Sequence, residues 1–139
     1  MVLAFMRVSY GELNGKQQEA YNFQKVSAVL ADYGYVTIRL TSDWNGADFI
    51  AQHIDGTTFL KVQLKGRLSF GKKYMGQDLY ICFNHPDGWF LYPHDEMLKK
   101  VIAEGIIEGT RSWELQEEYD FRKLSKRQRA LLEPYRLEA

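Results

Sequence analysis

The sequence predicts an α/β domain in which helices pack on a mixed β-sheet, and three observations predict it. A stripe of apolar residues at helical spacing over 16–33 precedes three segments of strand character. A strong hairpin signal, Asp55-Gly56, joins two of those segments. A second hairpin then runs into a second amphipathic helix, which places helices on both sides of a run of strands.

The elements follow in order. After a short β-like start, Asn14-Gly15 precedes a helix from about Lys16 to Tyr33, with Ala20, Phe23, Val26, Leu30 and Tyr33 on one face. Gly34 ends it as a left-handed cap. Tyr35 to Leu40 alternates, with Val36, Ile38 and Leu40 pointing one way and Thr37 and Arg39 the other. Thr41 to Gly46 reads as a polar loop. Ala47 to Ile54 and Thr58 to Leu64 read as the two arms of the hairpin. On the returning arm Leu60, Val62 and Leu64 share one face, and Phe59, Lys61, Gln63 and Lys65 share the other.

Arg67 to Asp78 reads as a loop. Leu79 to Phe83 and Trp89 to Tyr92 form the second hairpin. Pro93 opens a helix from His94 to Glu104, closed by Gly105, with Met97, Leu98, Val101 and Ile102 as its apolar stripe. Ile106 to Phe121 is weakly patterned and reads as loop with a short strand. Ser125 to Gln128 matches a capping box for a last helix through Leu132, which Pro134 stops.

Composition narrows the function classes. A chain of 139 residues suits one domain, 1–139, with room for a real core. Aromatic residues make up 14%, which argues against disorder. No apolar run reaches membrane-spanning length, and the opening Met1 to Arg7 is short for a secretory signal, so a cytoplasmic protein is expected. The one cysteine, Cys82, lies in a strand-like run and reads as a buried apolar side chain. Trp44, Trp89 and Trp113 read as packing residues. Formal net charge is zero, which argues against strong nonspecific nucleic-acid binding yet leaves a nuclease open, because acidic metal ligands offset local basic residues.

Chemistry is suggested at one place. Asp48 lies on one arm of the hairpin, and Gln63-Leu64-Lys65 lies on the other. Gln63 and Lys65 are two apart, so they share a face if the segment is a strand, and Asp48 joins them if the arms pair in register. A carboxylate, an amide oxygen and an ammonium would then meet over one phosphate. Phosphodiester cleavage builds negative charge on phosphate oxygens, and a divalent cation is its usual stabiliser. Magnesium takes hard oxygen ligands and keeps several waters, so one or two carboxylates suffice. A lysine beside it can orient the attacking water or neutralise charge.

These residues resemble the PD-(D/E)xK nuclease superfamily, the restriction-endonuclease-like fold. Gly46-Ala-Asp48-Phe-Ile-Ala51 is similar to the first half of its motif, and Lys61-Val-Gln63-Leu-Lys65-Gly-Arg67 to the second. The resemblance covers roughly residues 12 to 104. It implies a mixed sheet flanked by helices and a nuclease dependent on Mg2+ or Mn2+, with DNA as substrate and a homodimer as the assembly. It implies Asp48, Gln63 and the Leu64 carbonyl as metal ligands, Lys65 as the residue acting on water, and Glu19 of the opening helix as a further acid. The chain departs from the motif at Gln63, where the family carries a second acid. An amide oxygen ligates magnesium without contributing charge. A domain that keeps the fold and binds nucleic acid or a protein without cleaving is therefore the alternative.

Plain readings stand beside these. Asp48 could cap the Asn45-Gly46 turn, Gln63 and Lys65 could lie on a solvated sheet face with Lys61, and Glu19 could pair with Lys16. Arg67, Lys72 and Lys73 follow the motif closely and could contact phosphates or form a solvated loop. His94-Asp95-Glu96 reads as helix N-terminal acids.

Overall fold

The Asn14 side chain starts the first helix, α1 (Gly15–Ala31), by accepting the Gln17 N–H at 2.9 Å, and the Gln17 side chain accepts the Asn14 N–H in return. In this computed structural model the described residues are 5–44 and 46–138. The packing role expected for Trp44 concerns a side chain outside them, as does the Asn45 half of the turn expected before Asp48. Residues 10–12 form a 3-10 turn rather than a strand.

Three strands follow: β1 (Tyr35–Trp44), β2 (Ala47–His53) and β3 (Phe59–Lys65). Next come β4 (Ser69–Gly71), β5 (Leu79–His85), β6 (Gly88–Pro93) and the helix α2 (His94–Ala103). The chain ends with α3 (Arg111–Gln116), β7 (Glu118–Asp120), α4 (Lys126–Leu132) and β8 (Arg136–Leu137). Six strands make one mixed sheet in the order β1-β2-β3-β5-β6-β8, and β4 and β7 pair apart from it. The β3–β5 pair is parallel and the remaining pairs are antiparallel.

Two apolar layers lie on the two faces of the sheet. Val26 and Leu30 of α1 bury against Phe49, Ala51, Val62 and Cys82. Leu30 is fully enclosed, and its truncation to alanine would cost about 2–5 kcal/mol. Burial also pushes the Cys82 thiol well up, in keeping with an inert packing role. On the other face Ile81, Phe83 and Tyr92 pack with Met97, Val101, Trp113 and Leu132 from the later helices. Among the described residues no helix is long and apolar enough to cross a membrane.

Several expectations are corrected. The segment expected as a loop over 41–46 continues β1 as far as Trp44, which pairs with Ala47 beyond an irregularity in the ladder. Polar composition had hidden an edge strand, whose outer side tolerates such residues. Gly46, at φ +86°, makes the turn into β2. Tyr33 leaves the buried stripe; it is exposed, and its hydroxyl accepts the Glu138 N–H at 2.7 Å. Thr37 faces α1 and donates to Ser27, which turns Val36 and Ile38 outward into solvent. The loop expected over 67–78 contains β4 and a 3-10 turn at Lys72–Tyr74. The weakly patterned stretch after Ile106 holds a short strand, as expected, and also α3, capped by the Thr110 side chain. Pro134 sits in a 3-10 turn, after which the chain adds β8 to the sheet.

Candidate active site

The β2–β3 ladder ends at Phe49↔Val62. One residue further, the Asp48 carboxylate takes over the role of a ladder acceptor and receives the Leu64 N–H at 2.8 Å. The Leu64 carbonyl receives the Gln63 side-chain N–H at 3.3 Å. Asp48 and Gln63 therefore both bind the backbone of Leu64, the first at its N–H and the second at its carbonyl. In the arrangement shown, the amide N–H of Gln63 points at the carbonyl that the family resemblance would give to a metal, so ligation by both oxygens requires the amide to turn over.

Asp48, Gln63, Leu64 and Lys65 line one cleft of about 900 Å³, and Glu19 on α1 lines it too. The acid, the amide and the amine on the two hairpin arms thus line one cleft, and α1 adds Glu19 to its lining. Lys65 is held from below: its ammonium lies over the Tyr74 ring, 5.4 Å from the centroid. Lys61, on the same strand face, is committed elsewhere, donating to the Gln77 carbonyl at 2.5 Å. That difference separates Lys65 from its neighbour, which sequence alternation alone had left equivalent.

Arg67, Lys72 and Lys73 part company. Arg67 lines a neighbouring groove. Lys72 lies over Trp113 at 5.3 Å and faces Glu114 at 4.0 Å. Lys73 shares the Tyr74 ring with Lys65, its ammonium 5.1 Å from the centroid. The residues that sequence reasoning passed over include Arg39, Asn22 and Asn84, all lining the main cleft. Arg39 carried a signal, since it opposes Val36 and Ile38 in the β1 alternation. Asn22 carried none, because a polar residue on a helix surface is unremarkable.

The Lys65-to-β5 segment is anchored from behind. The buried Tyr92 hydroxyl donates to the Ser69 carbonyl at 2.6 Å and accepts the Ser69 N–H at 3.1 Å. Buried His94 accepts the Gly71 N–H on Nε2 at 3.2 Å, and its Nδ1 meets Asp95 at 2.8 Å. Asp95 in turn accepts the Gly76 N–H at 2.9 Å. Burial pushes the His94 pKa down, against the pull of the Asp95 carboxylate. The helix-terminal trio expected at 94–96 thus includes a histidine that clamps the segment following Lys65.

The donor set can be tested against a divalent cation. Among the described residues no three His, Cys, Asp or Glu side chains cluster. Among the described residues the cleft offers two carboxylates, Asp48 and Glu19, with the Gln63 amide and the Leu64 carbonyl. All are hard oxygen donors, which suits magnesium.

No protein-family model matches the chain, and no curated protein does. Among solved structures, a bacterial homing endonuclease is similar over 88% of this chain and 86% of its own, with 16% identity and a TM-score of 0.51. A Holliday junction resolvase (Hjc) of Archaeoglobus fulgidus, an archaeal hyperthermophile, is similar over 55% of this chain and 72% of its own, at 16% identity and a TM-score of 0.44. The first of these likenesses, together with the six-stranded mixed sheet and its flanking helices, shows that the chain has the restriction-endonuclease-like fold.

Proposed function

We propose that the chain is a metal-dependent nuclease that hydrolyses phosphodiester bonds, with DNA as its substrate. The observation that carries this reading is that Asp48 and Gln63 both bind the Leu64 backbone in a cleft that Lys65 and Glu19 also line. Asp48, the Gln63 amide and the Leu64 carbonyl would hold Mg2+ or Mn2+, with Glu19 acting directly or through water. The bound ion would supply charge stabilisation to the phosphate oxygens as they gain negative charge.

The protein's own groups do the rest. The Lys65 ammonium donates to the water that attacks phosphorus or to a phosphate oxygen, and the Tyr74 ring beneath keeps it in place. Water adds to phosphorus and gives up a proton to solvent, a phosphorus–oxygen ester bond breaks, and the departing oxygen takes up a proton from solvent. The Leu64 N–H fixes one Asp48 oxygen, which leaves that carboxylate one defined orientation.

The test is cleavage of DNA and RNA substrates by purified protein with magnesium or manganese. Metal-dependent cleavage that Lys65→Ala and Asp48→Asn abolish supports the reading. Cleavage that survives both substitutions overturns it.

A second reading is favoured by one observation, the Gln63 N–H on the Leu64 carbonyl. If that bond persists, the cleft binds nucleic acid without gripping a metal. Calorimetry that detects no magnesium or manganese binding at millimolar concentration, with DNA affinity intact, would select this reading.

A further inference from the structure

We infer that the groove beside the candidate active site binds the sugar-phosphate backbone of the nucleic acid next to the scissile phosphate, gripped by Arg67 and Arg122. The inference rests on the nuclease-type reading above and names where that substrate is held.

The groove has a volume of about 540 Å³, and both arginines line it. They are 55 positions apart in the chain, and a small antiparallel ladder brings them together. Ser69 pairs with Asp120 and Phe70 with Tyr119, and the Phe121 N–H donates to the Leu68 carbonyl at 2.9 Å. Arg67 is the residue before Leu68, and Arg122 is the residue after Phe121, so the two emerge side by side at the ladder's end. The buried Phe70 and Phe121 rings, 6.1 Å apart, fix that end to the core.

Two further observations point to an anionic ligand. First, Arg67 and Arg122 are exposed and neither makes an ion pair among the described residues. Three arginines of the C-terminal segment are engaged, Arg127 with Glu104, Arg129 with Asp87 and Arg136 with Glu133, while Arg111, which lies away from the groove lining, has no ion pair among the described residues. Second, among the described residues no carboxylate lines the groove. A chain of zero net charge has here a concave surface with two guanidinium groups and no acid among the described residues that line it. A guanidinium fork matches two oxygens of one phosphate.

The groove is continuous with the cleft, because Gly66 and Asn84 line both. Lys65, Gly66 and Arg67 are consecutive, so one strand end serves the cleft and the groove in turn. Gly66 leaves the passage open: a side chain there would meet nothing within 4 Å. A backbone crossing that passage would set one phosphate against Asp48 and Lys65 and a neighbouring one against the arginines.

The experiment measures binding without cleavage. Fluorescence anisotropy with a labelled 30-base-pair duplex, in EDTA, gives Kd as a function of salt for the wild-type chain, Arg67→Gln, Arg122→Gln and Arg127→Gln. Each groove substitution is expected to weaken binding alike for unrelated sequences and to flatten the slope of log K against log salt by about 0.9. Arg127→Gln is expected to change neither. A wild-type slope that both groove variants retain, or preference for an acidic peptide over DNA at the same arginines, overturns the inference. Failure of cleavage with metal, alongside the expected slopes, would sink the nuclease reading and leave this one standing.

Discussion

The Lys65 ammonium sits over the face of Tyr74, 5.4 Å from the ring centroid, and the same ring backs the turn into the strand that carries Asp48. A Cβ placed on Gly46 would lie 3.1 Å from that ring. Tyr74 is buried, and the His94 ring meets it edge-on at 5.6 Å. One buried aromatic ring thus lies against Lys65 and against the turn that leads to Asp48.

Tyr74→Phe is expected to keep cleavage near the wild-type rate, because the ring face is retained. Tyr74→Leu is expected to lower kcat by about 3–30-fold with little change in KM, the range of a cation–π contact. Proton NMR gives a readout independent of activity: the Lys65 side-chain resonances should move on Tyr74→Leu and stay on Tyr74→Phe. Unchanged resonances in both variants would remove Tyr74 from this role.

Gly46→Ala is expected to destabilise the fold by about 1–2 kcal/mol from the left-handed backbone alone, since φ is +86°. The contact with Tyr74 adds to that cost. Urea denaturation measures it, and a variant as stable as the wild type would contradict the geometry.

Asp48→Asn and Asp48→Ala separate structure from charge. The asparagine oxygen can still accept the Leu64 N–H, so Asp48→Asn should melt close to the wild type while cleavage falls by about 10²–10³-fold. Asp48→Ala leaves that N–H without its acceptor and should cost about 1–3 kcal/mol as well. Equal melting temperatures for the two variants would show that the bond contributes nothing to stability.

Gln63→Glu adds the acid that the resemblance expects. One further negative charge near a divalent ion in a water-filled cleft contributes about 1–2 kcal/mol, so magnesium affinity should rise about tenfold by calorimetry. No change in affinity would place Gln63 outside the metal's reach.

Stability should fall as pH drops below about 6.5, the ordinary histidine value. Burial lowers the folded-state pKa of His94, so between that lowered value and 6.5 the unfolded chain binds a proton that the folded chain does not. Stability is complete above the window and is lost as pH falls through it. A proton on Nε2 would also face the Gly71 N–H now donated to that atom. Hydrogen bonds from His94 and Gly76 outweigh burial to lower the Asp95 pKa, which gives a further loss as pH falls below 3.8. Urea denaturation from pH 7.5 to pH 5 checks the first window, and His94→Gln should lack that slope.

Local pattern made much of this protein legible. Asn14 and Ser125 announced their helices because capping is a contact between residues three apart. Gln63 and Lys65 shared a face because strand side chains alternate, and Asp55-Gly56 marked the hairpin that returned them toward Asp48. The stretch after Ile106 was opaque for the opposite reason. Its short strand is stabilised by a partner far away in the chain, β7 by β4, and a six-residue helix has little periodicity to read.

From residue order and spacing alone came the α/β class, the hairpin, and an acid, an amide and an amine able to share one cleft. Folding chose among the cations: it tied Lys61 to a carbonyl, laid Lys65 on Tyr74, turned Lys72 to Trp113, and brought Arg122 beside Arg67. Those choices depend on contacts between residues distant in the chain, where burial and shape decide and sequence separation carries no signal.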